Sequence, residues 1–227
     1  MKFARIGVVA LTGAATVLCI KVARAQDDDF QTWNMVTLNK SFDKDWRGYL
    51  EVQPRLGDDS SRPNALLLRG AVGYNIQRNI SVWLGYANVT FYVPRTIHEE
   101  RPFQQLLMTS RLPRYDIINR TRFEQRFLPG TEDPSLRARH FVRGFFPIDR
   151  SRKWAVVAQE ELFWNLNSAT ANLQSGYDQN RAFLGVSVAA TKNLRIETGY
   201  QYVHIRVPTA APDRELHTLL TMFNFVY

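Results

Sequence analysis

The stretch Asn119-Arg-Thr-Arg-Phe-Glu-Gln-Arg-Phe127 sets Arg120, Arg122, Glu124 and Arg126 two residues apart, with Thr121, Phe123 and Phe127 in the opposite phase. Successive side chains of a β-strand point to opposite faces, so a period of two gathers all four charges on one face. A helix would scatter them. The rhythm recurs: Trp46, Gly48, Leu50 and Val52 oppose Arg47, Tyr49, Glu51, Gln53 and Arg55. Leu136, Ala138 and Val142 oppose Arg137, Arg139 and Arg143, while Leu194, Ile196, Thr198, Tyr200 and Tyr202 oppose Arg195, Glu197 and Gln201. The chain therefore reads as all-β, with one polar and one apolar face per strand.

Strands are expected near 31–42, 46–56, 65–76, 80–93, 103–112, 116–128, 135–147, 153–166, 181–191, 194–206 and 215–227. Most exceed the usual five or six residues of globular strands and reach the roughly nine to eleven that cross a bilayer at a tilt. Short turns at Asp43-Lys-Asp45, Gln77-Arg-Asn79 and Thr191-Lys-Asn193, and near Pro113 and Ser151, alternate with longer polar loops near 57–64, 94–102, 129–134, 167–180 and 207–214. Short turns on one side and long loops on the other are the asymmetry of transmembrane barrels. With Tyr227 on the periplasmic side, every long loop falls outside.

The pattern predicts an antiparallel up-and-down transmembrane β-barrel. Eleven segments are legible, yet bacterial single-chain barrels use even numbers. Twelve strands are therefore expected, with an extra crossing within 26–34; ten strands are the alternative.

The N-terminus has a basic start, an apolar run from Ile6 to Ile20 and an Ala23-x-Ala25 site. These are the three parts of a secretory signal peptide, predicting a leader over 1–25 and one barrel domain over 26–227. The run is too short to span a bilayer, and no later stretch approaches the roughly 18 apolar residues of a transmembrane helix. Any membrane residence must therefore use strands. The one cysteine, Cys19, falls within the leader, so the mature chain is expected to hold no disulfide, which fits export. The leader also holds Lys2, Arg5, Lys21 and Arg24 and no acid, so its removal lowers the net charge from +8 to +4. No basic block with interleaved aromatics remains, and no nucleic-acid partner is expected.

At the C-terminus Leu219, Thr221, Phe223, Phe225 and Tyr227 share a face. A last strand closing on an aromatic, marked by Leu219, Phe223, Phe225 and Tyr227, resembles the signal that outer-membrane barrels present to the barrel-assembly machinery. Trp83, Tyr92, Trp154 and Trp164 lie near strand ends, as interfacial girdles require. The expected location is the outer membrane of a Gram-negative bacterium, with its lipid as partner. Glu160 breaks the pattern, in phase with Trp154, Val156, Leu162 and Trp164; a bulge at Gln159-Glu160-Glu161 is expected to turn it from lipid. The segment 80–93 fits either phase.

Gln31-Thr-Trp33, Trp46 with Leu50-Glu-Val-Gln-Pro-Arg55, Asn119 to Phe127, Glu161-Leu-Phe-Trp-Asn-Leu166 and Asp178-Gln-Asn-Arg181 look like the bacterial outer-membrane barrel family known as domain of unknown function 2490. The resemblance spans about 30 to 225 in consistent order. It implies a fold and a location, and brings no catalytic residues with it.

If the charged face lines a lumen, the interior holds Arg47, Arg55, Arg120, Arg122, Arg126, Arg137, Arg139, Arg143, Arg181 and Arg195, with the acids Glu51, Glu124, Glu161 and Glu197. Rings of arginine favour anions, which predicts a narrow, porin-like passage for a small anionic solute. Planar guanidinium–carboxylate pairing predicts instead a plugged interior. Eight strands are filled by side chains and sixteen leave a channel, so strand number leaves both open.

A third reading is a structural or adhesive protein working through its outer loops, above all 167–180, which is long enough to fold over the mouth. A fourth is an outer-membrane hydrolase. Hydrolysis needs a nucleophile and base within hydrogen-bond reach. His98, His140, His204, His217 and Ser168 show no such spacing, and His98-Glu-Glu lacks a second histidine at metal-ligand distance. No catalytic residue, metal or cofactor is expected, and the residues fix no oligomeric state.

Overall fold

The alternating segments become eleven strands: β1 (Asp28–Ser41), β2 (Trp46–Gly57), β3 (Arg62–Gln77), β4 (Ile80–Phe91), β5 (Ile97–Arg111), β6 (Asp116–Arg126), β7 (Ser135–Pro147), β8 (Trp154–Asn165), β9 (Gly176–Ala189), β10 (Leu194–Ile205) and β11 (Arg214–Val226). The structure is a computed structural model that describes residues 28–209 and 211–227. The leader expected over 1–25, with Cys19, lies outside the described residues. Consecutive strands pair antiparallel from β1 to β11, and β1 pairs with β11 to close the barrel.

The expectation of twelve strands, or ten, is corrected to eleven among the described residues. Residues 28–41 form one continuous strand, so no extra crossing fits between 28 and 34. The even-number rule presumes antiparallel closure. Here β1 and β11 run parallel in unbroken register from Asp28↔Glu215 to Asn39↔Val226, which satisfies their backbone groups just as a barrel without edges requires. At the C-terminus Ser41 N–H donates to Tyr227 O (2.8 Å), and Tyr227 N–H donates to Asn39 O (2.9 Å).

The short connections 42–45, 78–79, 112–115, 148–153 and 190–193 gather at one end with Tyr227, the turn end. The connections 58–61, 92–96, 127–134, 166–175 and 206–213 gather at the other, the loop end. Turn chemistry follows from short polar side chains capturing nearby backbone donors. Asp43 Oδ1 accepts the N–H groups of Trp46 and Asp45, each at 2.7 Å. These bonds, Trp46 first, hold its carboxyl below the usual range. Asp149 does likewise with the Ser151 hydroxyl and then the Trp154 N–H, with the same downward effect. At the loop end Asp58, Asp59 and Ser60 sit at φ of 56°, 53° and 63°, a region that Asp tolerates better than most residues with a Cβ. Asp29 Oδ1 steadies this turn by accepting the Asp59 N–H at 3.1 Å.

Two boundaries depart furthest from expectation. The loop expected over 94–102 ends at Thr96, because β5 begins at Ile97. The loop expected over 167–180 ends at Ser175, because β9 begins at Gly176.

Burial is inverted relative to a water-soluble domain. Gln53, Arg69, Arg101, Glu124, Arg137 and Glu161 are buried, whereas Leu50, Leu68, Val72, Leu84, Leu162 and Leu184 are exposed on the outer wall. Trp46, Tyr74, Tyr92, Trp154 and Trp164 are exposed outward. Trp83 is not, which corrects its place in a girdle: it is buried inside, and its Nε1–H donates to Ser81 Oγ at 2.8 Å. The reason is local. Gly73 faces the same lumen layer, and a side chain there would collide with the Trp83 ring. This also settles the phase of β4, with Ser81, Trp83, Ala87 and Val89 inward.

The bulge expected at 159–161 is absent. The shift in this strand pair falls between Phe163 and Trp164, so Glu160 stays on the outer wall, where Asn180 Nδ2 donates to its Oε1 at 3.0 Å.

Candidate functional site: the charged lumen

Inward alternation on β2, β3 and β5 to β10 brings guanidinium and carboxylate groups into one layer. Glu99 has no exposed surface. It accepts bidentate pairs from Arg101 (2.6 and 2.9 Å) and from Arg126 (2.6 and 3.2 Å). Glu124 accepts Arg137 Nη2 at 2.7 Å and Arg139 Nη1 at 2.6 Å, with Arg122 at 3.6 Å. Arg139 bridges on to Glu161 (Nη2 at 2.7 Å), which also accepts Arg120 Nη2 at 2.6 Å. Glu51 accepts Arg69 Nη1 at 2.5 Å and the Tyr49 hydroxyl, and Arg143 pairs with Glu197.

Aromatic rings complete the layer. The guanidinium carbon of Arg122 lies 4.1 Å from the Phe103 ring, that of Arg139 4.3 Å from Phe163, and that of Arg120 4.3 Å from Phe141. Such faces suit the weakly hydrated, planar guanidinium. Charge-assisted, bidentate bonds are the strong class of hydrogen bond, and each buried ion needs them, because its desolvation costs several kcal/mol.

Free space along the axis narrows at this layer. The turn-end mouth holds about 1200 Å3, bordered by Arg78, Arg111, Arg152 and Arg195. Beneath it lies a cavity of about 350 Å3 beside Arg122 and Glu197. Among Glu51, Arg69, Arg139 and Glu161 only about 120 Å3 is left. A vestibule of about 480 Å3 then opens toward the loop end. Asn172 and Leu173 of the 166–175 connection line that vestibule, so this loop folds over the mouth.

The structure places every lumen candidate on the inward side. Arg120, Arg122, Glu124, Arg137, Arg139 and Glu161 form one linked network, while Arg126 joins Glu99 with Arg101, Glu51 pairs with Arg69, and Arg143 pairs with Glu197. Arg47 stacks on Trp83 at 5.5 Å near the turn end, and Arg195 Nη1 donates to Ser187 Oγ at 2.9 Å. Arg55 and Arg181 approach Trp33. Sequence reasoning misses Arg69, Glu99, Arg101 and Asp178. The sequence reads Glu99 as part of an outer loop, yet Glu99, Arg101, Phe103 and Gln105 share one period-two phase; the intervening Pro102 hides it.

Leu219, Phe223 and Phe225 are in outward phase on β11, and Tyr227 follows at the turn end. The histidines all point outward. His98 and His140 meet Thr90 and Thr121 hydroxyls at 3.0 Å, His217 meets Tyr200 at 2.7 Å, and His204 lies between Tyr177 (2.9 Å) and Asp213 (3.3 Å). Ser168 Oγ accepts the Ser175 N–H within its own loop. Among the described residues no three of His, Cys, Asp and Glu are placed to hold a metal ion.

Comparison with known proteins matches this sequence to an uncharacterized relative and to a family of unknown function. The chain is 31% identical over 204 residues to an uncharacterized protein of Methylorubrum extorquens, covering 87% of each chain. The family model described as "Protein of unknown function (DUF2490)" matches residues 30–214, and by that match, which takes in the whole charged layer, the chain belongs to this family.

Proposed function

We propose that this chain is a Gram-negative outer-membrane barrel whose lumen is closed at rest by its guanidinium–carboxylate layer. The observation that carries the reading is the constriction of about 120 Å3 among Glu51, Arg69, Arg139 and Glu161, where carboxylates are held by arginines from other strands. Strands of 11 to 16 residues exceed what a tilted crossing needs, and an outer wall of exposed Leu and Val offers the apolar band that a bilayer covers. Export by a cleaved leader and insertion through the C-terminal aromatic strand complete the proposal. No chemistry is assigned to the outward histidines.

A second reading is a gated, anion-preferring passage, favoured by the arginines at both mouths. One experiment separates the two. The refolded mature chain is placed in a planar bilayer under a potassium chloride gradient, with folding established by circular dichroism. Closed barrels are expected to give no discrete steps, and removing 167–174 is expected to leave them silent, because the seal lies below that loop. Chloride-selective steps from the intact chain would overturn the closed lumen; steps appearing only on loop removal would make the loop the gate.

A further inference from the structure

The loop-end vestibule contains two arginines that the network leaves out. Arg55 on β2 and Arg181 on β9 approach one indole from different strands, their guanidinium carbons 3.6 and 5.1 Å from the Trp33 ring. Among the described residues the Nε–H of each is buried without an acceptor, and Arg55 Nη2 donates to Gln53 Oε1 at 2.8 Å. Neither is ion-paired among the described residues. The nearby acids are taken: Glu99 by Arg101 and Arg126, Asp178 by Arg137. Glu161, whose field reaches Arg181, is held by Arg120 and Arg139. A buried charge without a counterion is costly, so this corner is stabilised by any anion that enters it.

Beside this corner the vestibule wall, elsewhere polar, carries an apolar patch. Ala65, Leu67 and Val89 form a buried cluster with Phe91 packed against it, and Leu216 lines the same space. The volume, about 480 Å3, lies within the usual range of small-molecule sites. The Trp33 Nε1–H is occupied by Gln31 Oε1 at 2.7 Å and Arg55 lies over the ring, so the indole holds the arginines and adds no donor.

We propose that the vestibule binds a small organic acid, its carboxylate held by Arg55 and Arg181 and its hydrocarbon body against Leu67, Val89 and Phe91. A guanidinium fork matches a carboxylate in plane. An inorganic phosphate could pair with the guanidinium groups but would leave Leu67, Val89 and Phe91 against water, whereas a carboxylate with a hydrocarbon body covers them. The site rests on the closed lumen for its floor, but its occupancy is read without any conductance.

The test is calorimetric titration of the folded barrel in detergent with cyclohexanecarboxylate, its uncharged carboxamide and inorganic phosphate. Saturable binding of the acid is expected, with carboxamide and phosphate each weaker by roughly tenfold or more, the loss of a charge-assisted bond or of the apolar contact. Arg55→Met and Arg181→Met should each weaken the acid by a similar factor, and neither strands a carboxylate, so both should fold. If a variant does not fold, the three-ligand comparison on the unaltered barrel decides. No saturable binding, equal binding of acid and carboxamide, or phosphate bound as tightly as the acid would each overturn the site. A barrel that is electrically silent but fails to bind removes this site alone, whereas one that conducts yet binds removes the closed lumen alone.

Discussion

Glu124→Gln is expected to destabilise the folded barrel by about 3–5 kcal/mol, the cost of breaking a buried ion pair by removing one partner. Glu124 is 1% exposed and its two oxygens serve Arg137 and Arg139, with Arg122 close by. Glutamine removes the charge and turns an NH2 donor toward guanidinium donors. Arg122 is then left with no carboxylate and keeps only Gln105, while Arg139 keeps Glu161 and Arg137 keeps Asp178. Urea unfolding of the barrel in lipid vesicles measures the loss. Glu132→Gln, in the exposed loop-end connection 127–134, supplies the comparison and should stay within about 0.5 kcal/mol. A loss at Glu124 below about 1 kcal/mol would mean that water reaches the layer and screens it, which is incompatible with a sealed lumen. A double change, Glu124→Gln with Arg139→Gln, should cost less than the sum of the two single changes, because these residues share one network.

How far the sequence reaches can be judged at individual residues. Alternation places Arg120, Arg122, Glu124 and Arg126 on one face of β6, and their inward phase is visible because Thr121, Phe123 and Phe127 contrast with them. Where both faces are apolar the contrast vanishes. That is why Arg69, surrounded by Leu66, Leu67, Leu68 and Gly70, is overlooked, and why Trp83 is placed outside rather than over Gly73. Glu99 is lost for another reason: a proline at 102 and three charges in a row read as a loop, while in the barrel Pro102 is on the outward face and Glu99 sits beneath Arg101 and Arg126. Strand number is lost because parity depends on how the first and last strands meet, and nothing local in Asp28–Ser41 announces a parallel partner. Pairing across the lumen is beyond sequence altogether. Arg181 meets Trp33 through curvature that closes β9 toward β1, and no spacing along the chain encodes that approach.

Leu184→Arg is expected to cost about 2–4 kcal/mol in a bilayer if the outer wall lies in lipid, because a guanidinium near the midplane must be dragged from water. Leu184 is 61% exposed and sits midway along β9, opposite Ala158 on β8 and Tyr200 on β10. Among the described residues nothing packs over it, so the substitution removes little from the folded interior and creates no cavity. In water such a change stays within about 0.5 kcal/mol, and this gap is what makes the position diagnostic. Depth supplies the internal control. Ile76, equally apolar and exposed but close to the turn end of β3, should lose only about 0–1 kcal/mol on change to arginine, since the side chain can reach the interface. Unfolding by urea from vesicles is the measurement for both. A large loss at Leu184 beside a small one at Ile76 follows from a hydrocarbon slab across the middle of the wall. Equal, small losses at both would mean that the apolar face is covered by something other than lipid, and the outer-membrane placement would fall with them.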